Sequence, residues 1–557
     1  MGMKRKSHLL LSIGLLFLIQ AGGICWSQTT TRVSVDSDGN EGLGPSSAPS
    51  ISANGRYVAF ESSANNLVVG DLNGFIDIFV HDRDADGNGT YDEPGPGGIS
   101  TVRVSVDSLG NEGNGHSYSP FISADGRYVA FESNANDLVG VGNDTNPFSD
   151  IFVRDLPGGP TTLVSVDSAG IQDPIPSSSS SPSLSSNGRY VAFDSDAVLV
   201  ATDNNGLSDI FVHDRDFDEN GTFDDPAPGG ISTVRVSVRS DGTQVDAESS
   251  APSISSNGRY VAFESIATDL VAGDTNGSTD IFVHDRDFDE NGTFDEPGPG
   301  KISTVRVSVA SGGGEGNGNS YFPSISGDGR YVAFYSEGSN LVVNDLNNRA
   351  DVFVHDRDAD GNGTYDEVGG ISTVRVSVVS GGGEAKNGDS YSPCISPDGN
   401  YVAFTSYADN LVAGDTPFTM GFPDIFVYER EALRPTVDST NPADSANGVA
   451  VGASITATFS EPMNGSTIDT NTFTLDNGVT GTVSYDANSI TATLTPSSNL
   501  DYNTTYTATI TTGVEDLAGN TMSDDHTWSF TTKSEENNSG GSGPCFIATA
   551  ASDWADF

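Results

Sequence analysis

One short motif, Gly-Arg-Tyr-Val-Ala-Phe, limits what this chain can become. It begins at Gly55, Gly126, Gly188, Gly258 and Gly329, and a variant with Asn in place of Arg begins at Gly399. The intervals are 71, 62, 70, 71 and 70 residues. A period of this size marks a unit that cannot bury its apolar face alone and buries it against its neighbours. Each copy reads in the same order. A segment such as Pro49-Ser50-Ile51-Ser52 leads to a Gly turn, then to the alternating run Arg56–Ser62, then to Asp77–His81, and last to Thr101–Val106. Alternation over short runs bounded by Gly, Asn, Asp and Pro is the pattern of strands. Four antiparallel strands in six copies predict an all-β fold, a six-bladed β-propeller over residues 29–430. A lone Arg32-Val33-Ser34-Val35 precedes the first copy, and the sixth copy stops after its third strand, Asp424-Ile425-Phe426-Val427. The N-terminal strand is therefore expected to complete the last blade and close the ring, which removes two open edges.

The pattern Pro-x-Ile-Ser-x-x-Gly-Arg-Tyr-Val-Ala-Phe-x-Ser resembles the TolB-type (WD40-like) propeller repeat of bacterial exported proteins. The likeness spans the six copies. It implies the propeller fold and a role as an interaction platform. Relatives of that fold also include peptidase-associated domains and a pectin-fragment lyase, so the fold alone does not assign an activity.

Charge and composition narrow the partners. The 557 residues carry 25 Lys+Arg against 77 Asp+Glu, a formal charge of −52. Binding nucleic acid phosphates requires clustered basic residues, so no nucleic acid partner is expected. Three cysteines do not make a disulfide scaffold. Residues 1–27 begin with Lys4, Arg5 and Lys6, continue with an apolar run from Leu9 to Ile19, and end in small residues. That order predicts a secretory signal peptide, cleaved after Gly23 or Ser27. Cys25 invites lipidation, but Ile24 stands where a small residue should precede a lipidated Cys. The run is short for a bilayer span and no other stretch has the character of one, so the mature chain is expected to be secreted, periplasmic or at the cell surface.

Four copies carry an acidic insertion between the third and fourth strands. The first offers Asp84, Asp86, Asn88, Thr90 and Asp92; the others offer Asp216, Asp218, Asn220, Thr222 and Asp224, then Asp287, Asp289, Asn291, Thr293 and Asp295, then Asp358, Asp360, Asn362, Thr364 and Asp366. Oxygen ligands two residues apart, followed by a Gly that allows a sharp turn, suit a hard cation such as Ca2+. Thr90 and its equivalents would offer a backbone carbonyl. Gly95 stands where an EF-hand has its bidentate Glu, and Glu93 is a substitute from another angle. Solvated turns also use Asp, Asn and Gly, but they do not require acids at fixed positions in four copies. Up to four Ca2+ sites are expected. The second and sixth copies lack the insertion.

A further Asp precedes the third strand in every copy: Asp77, Asp150, Asp209, Asp280, Asp351 and Asp424. Six-fold recurrence points to a structural hydrogen bond within each blade. His81, His213, His284 and His355 share one repeat position, so the ring spaces them apart as packing residues. No His-Glu-x-x-His or Gly-x-Ser-x-Gly motif occurs. No catalytic residue is assigned. Tyr118, Tyr321 and Tyr391 open the inner strands and are candidates either for inter-blade packing or for an aromatic rim that stacks on a sugar or peptide.

Past Arg430 the repeat vanishes. Residues 434–532 are Thr- and Ser-rich with alternating strands, which fits an Ig-like sandwich. Phe459-Ser460-Glu461-Pro462-Met463, Asp516-Leu517-Ala518-Gly519-Asn520 and Trp528–Thr532 resemble bacterial Ig-like domains of the S-layer (SbsA) type, which implies a spacer or adhesion module. Residues 533–557 form a flexible tail with Cys545-Phe546-Ile547-Ala548-Thr549-Ala550-Ala551, which looks like a tail motif of bacterial exported proteins. The sequence favours an exported, calcium-stabilised, non-enzymatic binding protein with an unknown protein or glycan ligand at the propeller face. An enzyme acting on polysaccharide or peptide, or a structural surface component, are the alternatives.

Overall fold

A computed structural model describes residues 31–535 apart from 94–96, 141, 176, 226, 380–382, 413–422, 431–434, 461–462, 487–488, 517–519 and 523. Among these residues every regular element is a strand. The repeat motif builds the same sheet each time. In the first, Ser46–Ile51, Tyr57–Ser62, Asp77–Asp82 and Ser100–Arg103 lie side by side in sequence order, all antiparallel. The next four sheets repeat this order, and the sixth has three strands, Ser390–Ile395, Tyr401–Ser406 and Asp424–Glu429. Alternation places Val129 and Phe131 of the second blade, and their counterparts in later blades, between neighbouring sheets, where the apolar clusters are built from two consecutive blades. In every blade the middle two strands stack one Phe on another, as Phe60 on Phe79 at 5.9 Å and Phe263 on Phe282 at 6.0 Å.

The seam between blades is as regular as the blades. Ala53 N–H donates to Ala124 O, and the same bond joins Ala124 to Ser186, Ser186 to Ser256, Ser256 to Gly327, and Gly327 to Pro397. Gly126 sits against the ring of Tyr57, and Gly188, Gly258, Gly329 and Gly399 each sit against the Tyr of the preceding blade. These glycines also have positive φ, +78° at Gly126. The motif's Gly thus meets two demands, a left-handed turn and a flat seat for an aromatic ring.

The seam is not repeated between the sixth blade and the first. Among the described residues no backbone hydrogen bond joins them. Ile51 is 59% exposed, whereas its counterparts Ile122, Leu184, Ile254, Ile325 and Ile395 are 3–7% exposed. On the sixth blade Ile425 is 71%, Val427 66% and Tyr401 43% exposed. The N-terminal segment expected to close the ring lies on the first blade: Val35 O accepts from Thr101 Oγ1 at 2.6 Å and Ser37 Oγ accepts from Thr101 N. Every later connection packs on the following blade in the same way, as Thr233 Oγ1 on Val166 O.

The C-terminal unit is a sandwich of two four-stranded sheets. One holds Val437–Asn441, Ile455–Phe459, Thr491–Pro496 and Gly481–Asp486 in that order; the other holds Ala446–Val449, His526–Thr532, Thr505–Ile510 and Phe473–Leu475. Inward-facing Phe459, Phe473, Trp528 and Phe530 fill the space between them.

Candidate functional site

The Asp before the third strand is structural in the first five blades, whereas Asp424 of the sixth is exposed. Asp77 Oδ1 accepts from Ser105 Oγ at 2.6 Å, and Ser105 Oγ in turn accepts from Ile78 N. Asp150, Asp209, Asp280 and Asp351 repeat the bond with Ser165, Ser237, Ser308 and Ser377. Around it gather further acids. Arg103 Nη1 lies 3.3 Å from Asp71, 3.4 Å from Asp77 and 2.6 Å from Glu112. Arg306 and Arg375 hold the equivalent trios. Asp274, Asp280 and Glu315 are close enough together to suit a metal, but the guanidinium of Arg306 already provides the cation. The third blade has Arg235 with Gln244 in the Glu position. The second has Leu163 where the others have Arg, and Gln172 where the first, fourth and fifth have Glu. The four histidines are buried, and each Nδ1 meets a Thr Oγ1 at 2.9 Å. Since that Thr hydroxyl donates to a backbone carbonyl, the imidazole Nδ1 must carry the proton it shares with Thr. Burial lowers the imidazole pKa, to about 4 at His213, His284 and His355.

The acidic insertions form one geometry in four copies. Asp84, the buried first acid, accepts from the backbone N–H of Asn88 and Gly89 and so holds the loop closed. Asp216, Asp287 and Asp358 accept from Gly221, Gly292 and Gly363 in the same manner. Asn88 Oδ1 accepts from Thr90 N at 2.7 Å, which turns its amide nitrogen toward Asp86 Oδ2 and Glu93 Oε2, 3.0 and 2.5 Å away. Asn220, Asn291 and Asn362 do the same between Asp218 and Asp225, Asp289 and Glu296, and Asp360 and Glu367. Thr222, Thr293 and Thr364 donate their N–H to these amides.

The fifth expected ligand has another partner. Asp92 takes Arg83 through both carboxylate oxygens, at 2.9 Å from Nε and 2.5 Å from Nη2. Asp224, Asp295 and Asp366 take Arg215, Arg286 and Arg357. The hydrogen bonds from Arg83 pull the Asp92 pKa below the usual carboxylate range despite partial burial. The acid that completes the outer cluster is the next residue, Glu93, Asp225, Glu296 or Glu367. Spacing pointed to the residue before it because nine residues separate Arg83 from Asp92, and the partnership forms only across the folded loop.

In one loop the outer pair already holds a cation. Lys301 Nζ lies 2.5 Å from Asp289 and 2.8 Å from Glu296. The corresponding residue in the other loops is Gly98, Gly230 or Gly370.

The three later loops also grip the preceding blade. Arg215 stands 4.8 Å above the ring of Tyr128 and 5.0 Å from Phe223, which itself packs on Tyr128 at 5.3 Å. Arg286 with Phe294 grips Tyr190, and Arg357 with Tyr365 grips Tyr260. The loops are therefore clamps on the inter-blade seam, and their order bears on how firmly neighbouring sheets are joined.

Residues 431–532 match the family described as bacterial Ig-like domain. No curated protein matches the sequence. Among solved structures the chain is similar to a protein from Agrobacterium tumefaciens assigned as TolB, at 16% identity over 69% of this chain and 90% of that one, with a TM-score of 0.32. It is also similar to TolB from Acinetobacter baumannii, at 14% identity over 63% and 57% of the two chains, TM-score 0.30. A third likeness, to an oligogalacturonate lyase in complex with manganese, has 12% identity over 68% and 73%, TM-score 0.35. Among the described residues no helix is long and apolar enough to cross a membrane.

Proposed function

We propose that this chain is an exported, non-catalytic binding protein of the bacterial envelope or exterior, with a ligand-presenting propeller stiffened by Ca2+ in its acidic loops. Export rests on the basic and then apolar start of the chain, and an envelope setting on the bacterial Ig-like domain that follows the repeats. The observation that carries the calcium reading is Lys301. Where one copy supplies an ammonium between Asp289 and Glu296, the other three leave the same carboxylate pair facing a Gly. An acid pair that draws in a Lys in one copy is suited to a hard cation in the others, with the inner Asp as a further ligand and the Asn amide, which now donates to the pair, turning its oxygen inward. Neutralising the outer acids would also fix the loop that carries the Arg–Asp clamp, so cation binding would tighten the seams. The test is thermal unfolding of chelated protein with and without added Ca2+. A ligand that binds only the folded state stabilises by about 2.7 kcal/mol per site at a hundredfold excess over its Kd. The midpoint is expected to rise with Ca2+ and to fall back on chelation; an unchanged midpoint refutes the calcium reading.

A further inference from the structure

Repeat proteins place common residues where every copy needs them, so a site should stand out where copies diverge together. In the second strand the first four copies carry an acid, Glu61, Glu132, Asp194 or Glu264. Three of these acids accept a backbone N–H from the next blade, as Glu264 does from Phe322. The fifth copy has Tyr335 instead. Two residues beyond the corresponding position, the sixth copy has Tyr407 where the others have Ser63, Asn134, Asp196, Ile266 and Glu337. Before the third strand the fifth copy has Arg349 where others have Phe75, Phe148, Leu207 and Ser278. These three departures meet. Tyr335, Glu337, Arg349, Asp389, Tyr391 and Tyr407 line one cleft of about 510 Å³ between the fifth and sixth blades.

The walls are of two kinds. Tyr391 and Tyr407 pack at 5.8 Å with their planes tilted by 38°, and Tyr335 packs on Tyr321 at 5.3 Å. The three lining tyrosines are half-buried, so each has one face on protein and part of its surface open to the cleft. Between them Asp389 Oδ1 accepts from Ala350 N at 3.2 Å and lies 3.8 Å from Arg349 Nη1. Aromatic faces beside a carboxylate and a guanidinium match a sugar ring, which has a C–H face to stack and hydroxyls around its edge. The formal charge of −52 disfavours a phosphate-rich ligand.

We infer that this cleft is a saccharide-binding site, with Tyr391 and Tyr407 as stacking surfaces and Asp389 and Arg349 as hydrogen-bonding edges. The inference rests on the binding-protein reading and supplies its ligand class. The test is isothermal titration of the full chain with β-1,4-linked oligomers of N-acetylglucosamine, glucose and xylose and with α-1,4-linked oligomers of galacturonate. At least one series is expected to bind, and Tyr391→Ala and Tyr407→Ala are each expected to weaken it about tenfold, the value of one lost stacking contact. Tyr407→Phe keeps the ring and is expected to retain binding. Tyr118→Ala, the counterpart of Tyr391 on the second blade, is expected to leave binding unchanged and serves with the thermal midpoint as the folding control. Failure of all four series to bind, or binding indifferent to both Tyr→Ala variants, overturns the inference. Either result leaves the calcium-dependent midpoint free to stand or fall separately.

Discussion

At the scale of single residues, each buried guanidinium of the fourth strands is outnumbered by the carboxylates around it. Arg103, Arg306 and Arg375 each face two Asp and one Glu, and Arg235 faces two Asp and a Gln. Where Leu163 removes the cation, Gln172 removes one of the anions, and its Nε2 donates to Asp150 Oδ2 at 2.7 Å. Two carboxylates nevertheless remain. Burial, with Asp144 nearby, raises the pKa of Asp150 to about 7. A folded pKa above the unfolded value means that the folded state holds the proton more tightly. This contribution is fully present below about pH 4 and is lost as pH rises through 7. Leu163→Arg copies the third blade's arrangement and keeps the carboxylate ionised and paired. Relative to wild type, the variant is expected to gain stability as pH rises from 4 to 7 and to hold the gain above 7, where it should reach at least about 1 kcal/mol. Urea unfolding of both proteins at pH 5 and pH 8 measures it; an equal difference at the two pH values would refute the charge account.

At the scale of the loop, one outer acid pair is neutralised by a side chain of its own loop. Lys301 holds the pKa of Asp289 and Glu296 below their usual values. Lys301→Gly turns that loop into a copy of the other three, and the number of Ca2+ bound per chain is expected to rise from about three to about four. Calorimetric titration counts the sites, and an unchanged count would show that Lys301 was not occupying one. The strands and their order were legible in the sequence because alternation and turn residues are local signals. The acid loops were legible as clusters of acids for the same reason. The role of Asp92 was not, because a carboxylate at fixed spacing looks the same whether it faces a metal or a guanidinium. The arginine trios escaped too, since Asp71, Arg103 and Glu112 come together only after the strands pair. A sequence signal for them did exist: an Arg and, nine residues on, a Glu or Gln recur at fixed repeat positions in four copies, and only the second replaces the Arg, with Leu163.

At the scale of the whole molecule, the two ends are the halves of a seam the chain builds five times over. The first blade carries a complete tyrosine clamp, with Arg83 bonded to Gly55 O and Asp92 and standing 5.0 Å from the ring of Tyr91. The Tyr that such a clamp grips in later blades has its counterpart in Tyr401, which is exposed on the sixth blade. Leaving Ile51, Tyr401, Ile425 and Val427 in water forfeits burial that their counterparts obtain, about 25 cal/mol for each Å² of apolar surface. Joining ends within one chain also avoids the cost of bringing two molecules together. The ring is therefore expected to close in solution, with Tyr401 on Gly55 and the chain sedimenting as a monomer. The closing seam must be the weakest of the six, because Pro397 has no N–H to donate where Ala53, Ala124, Ser186, Ser256 and Gly327 each donate one. Cys394 likewise stands where Ser50, Ser183, Ser253 and Ser324 accept the next blade's N–H. Tyr401→Ala separates the cases. A Tyr seated in the seam should cost about 3 kcal/mol when truncated, as for other large aromatic deletions in cores, whereas an exposed one should change stability by no more than about 0.5 kcal/mol. A loss of at least about 2 kcal/mol in a monomeric chain is the expected result. A negligible loss, or self-association that Tyr401→Ala abolishes, would mean that the sixth blade does not meet the first within one molecule.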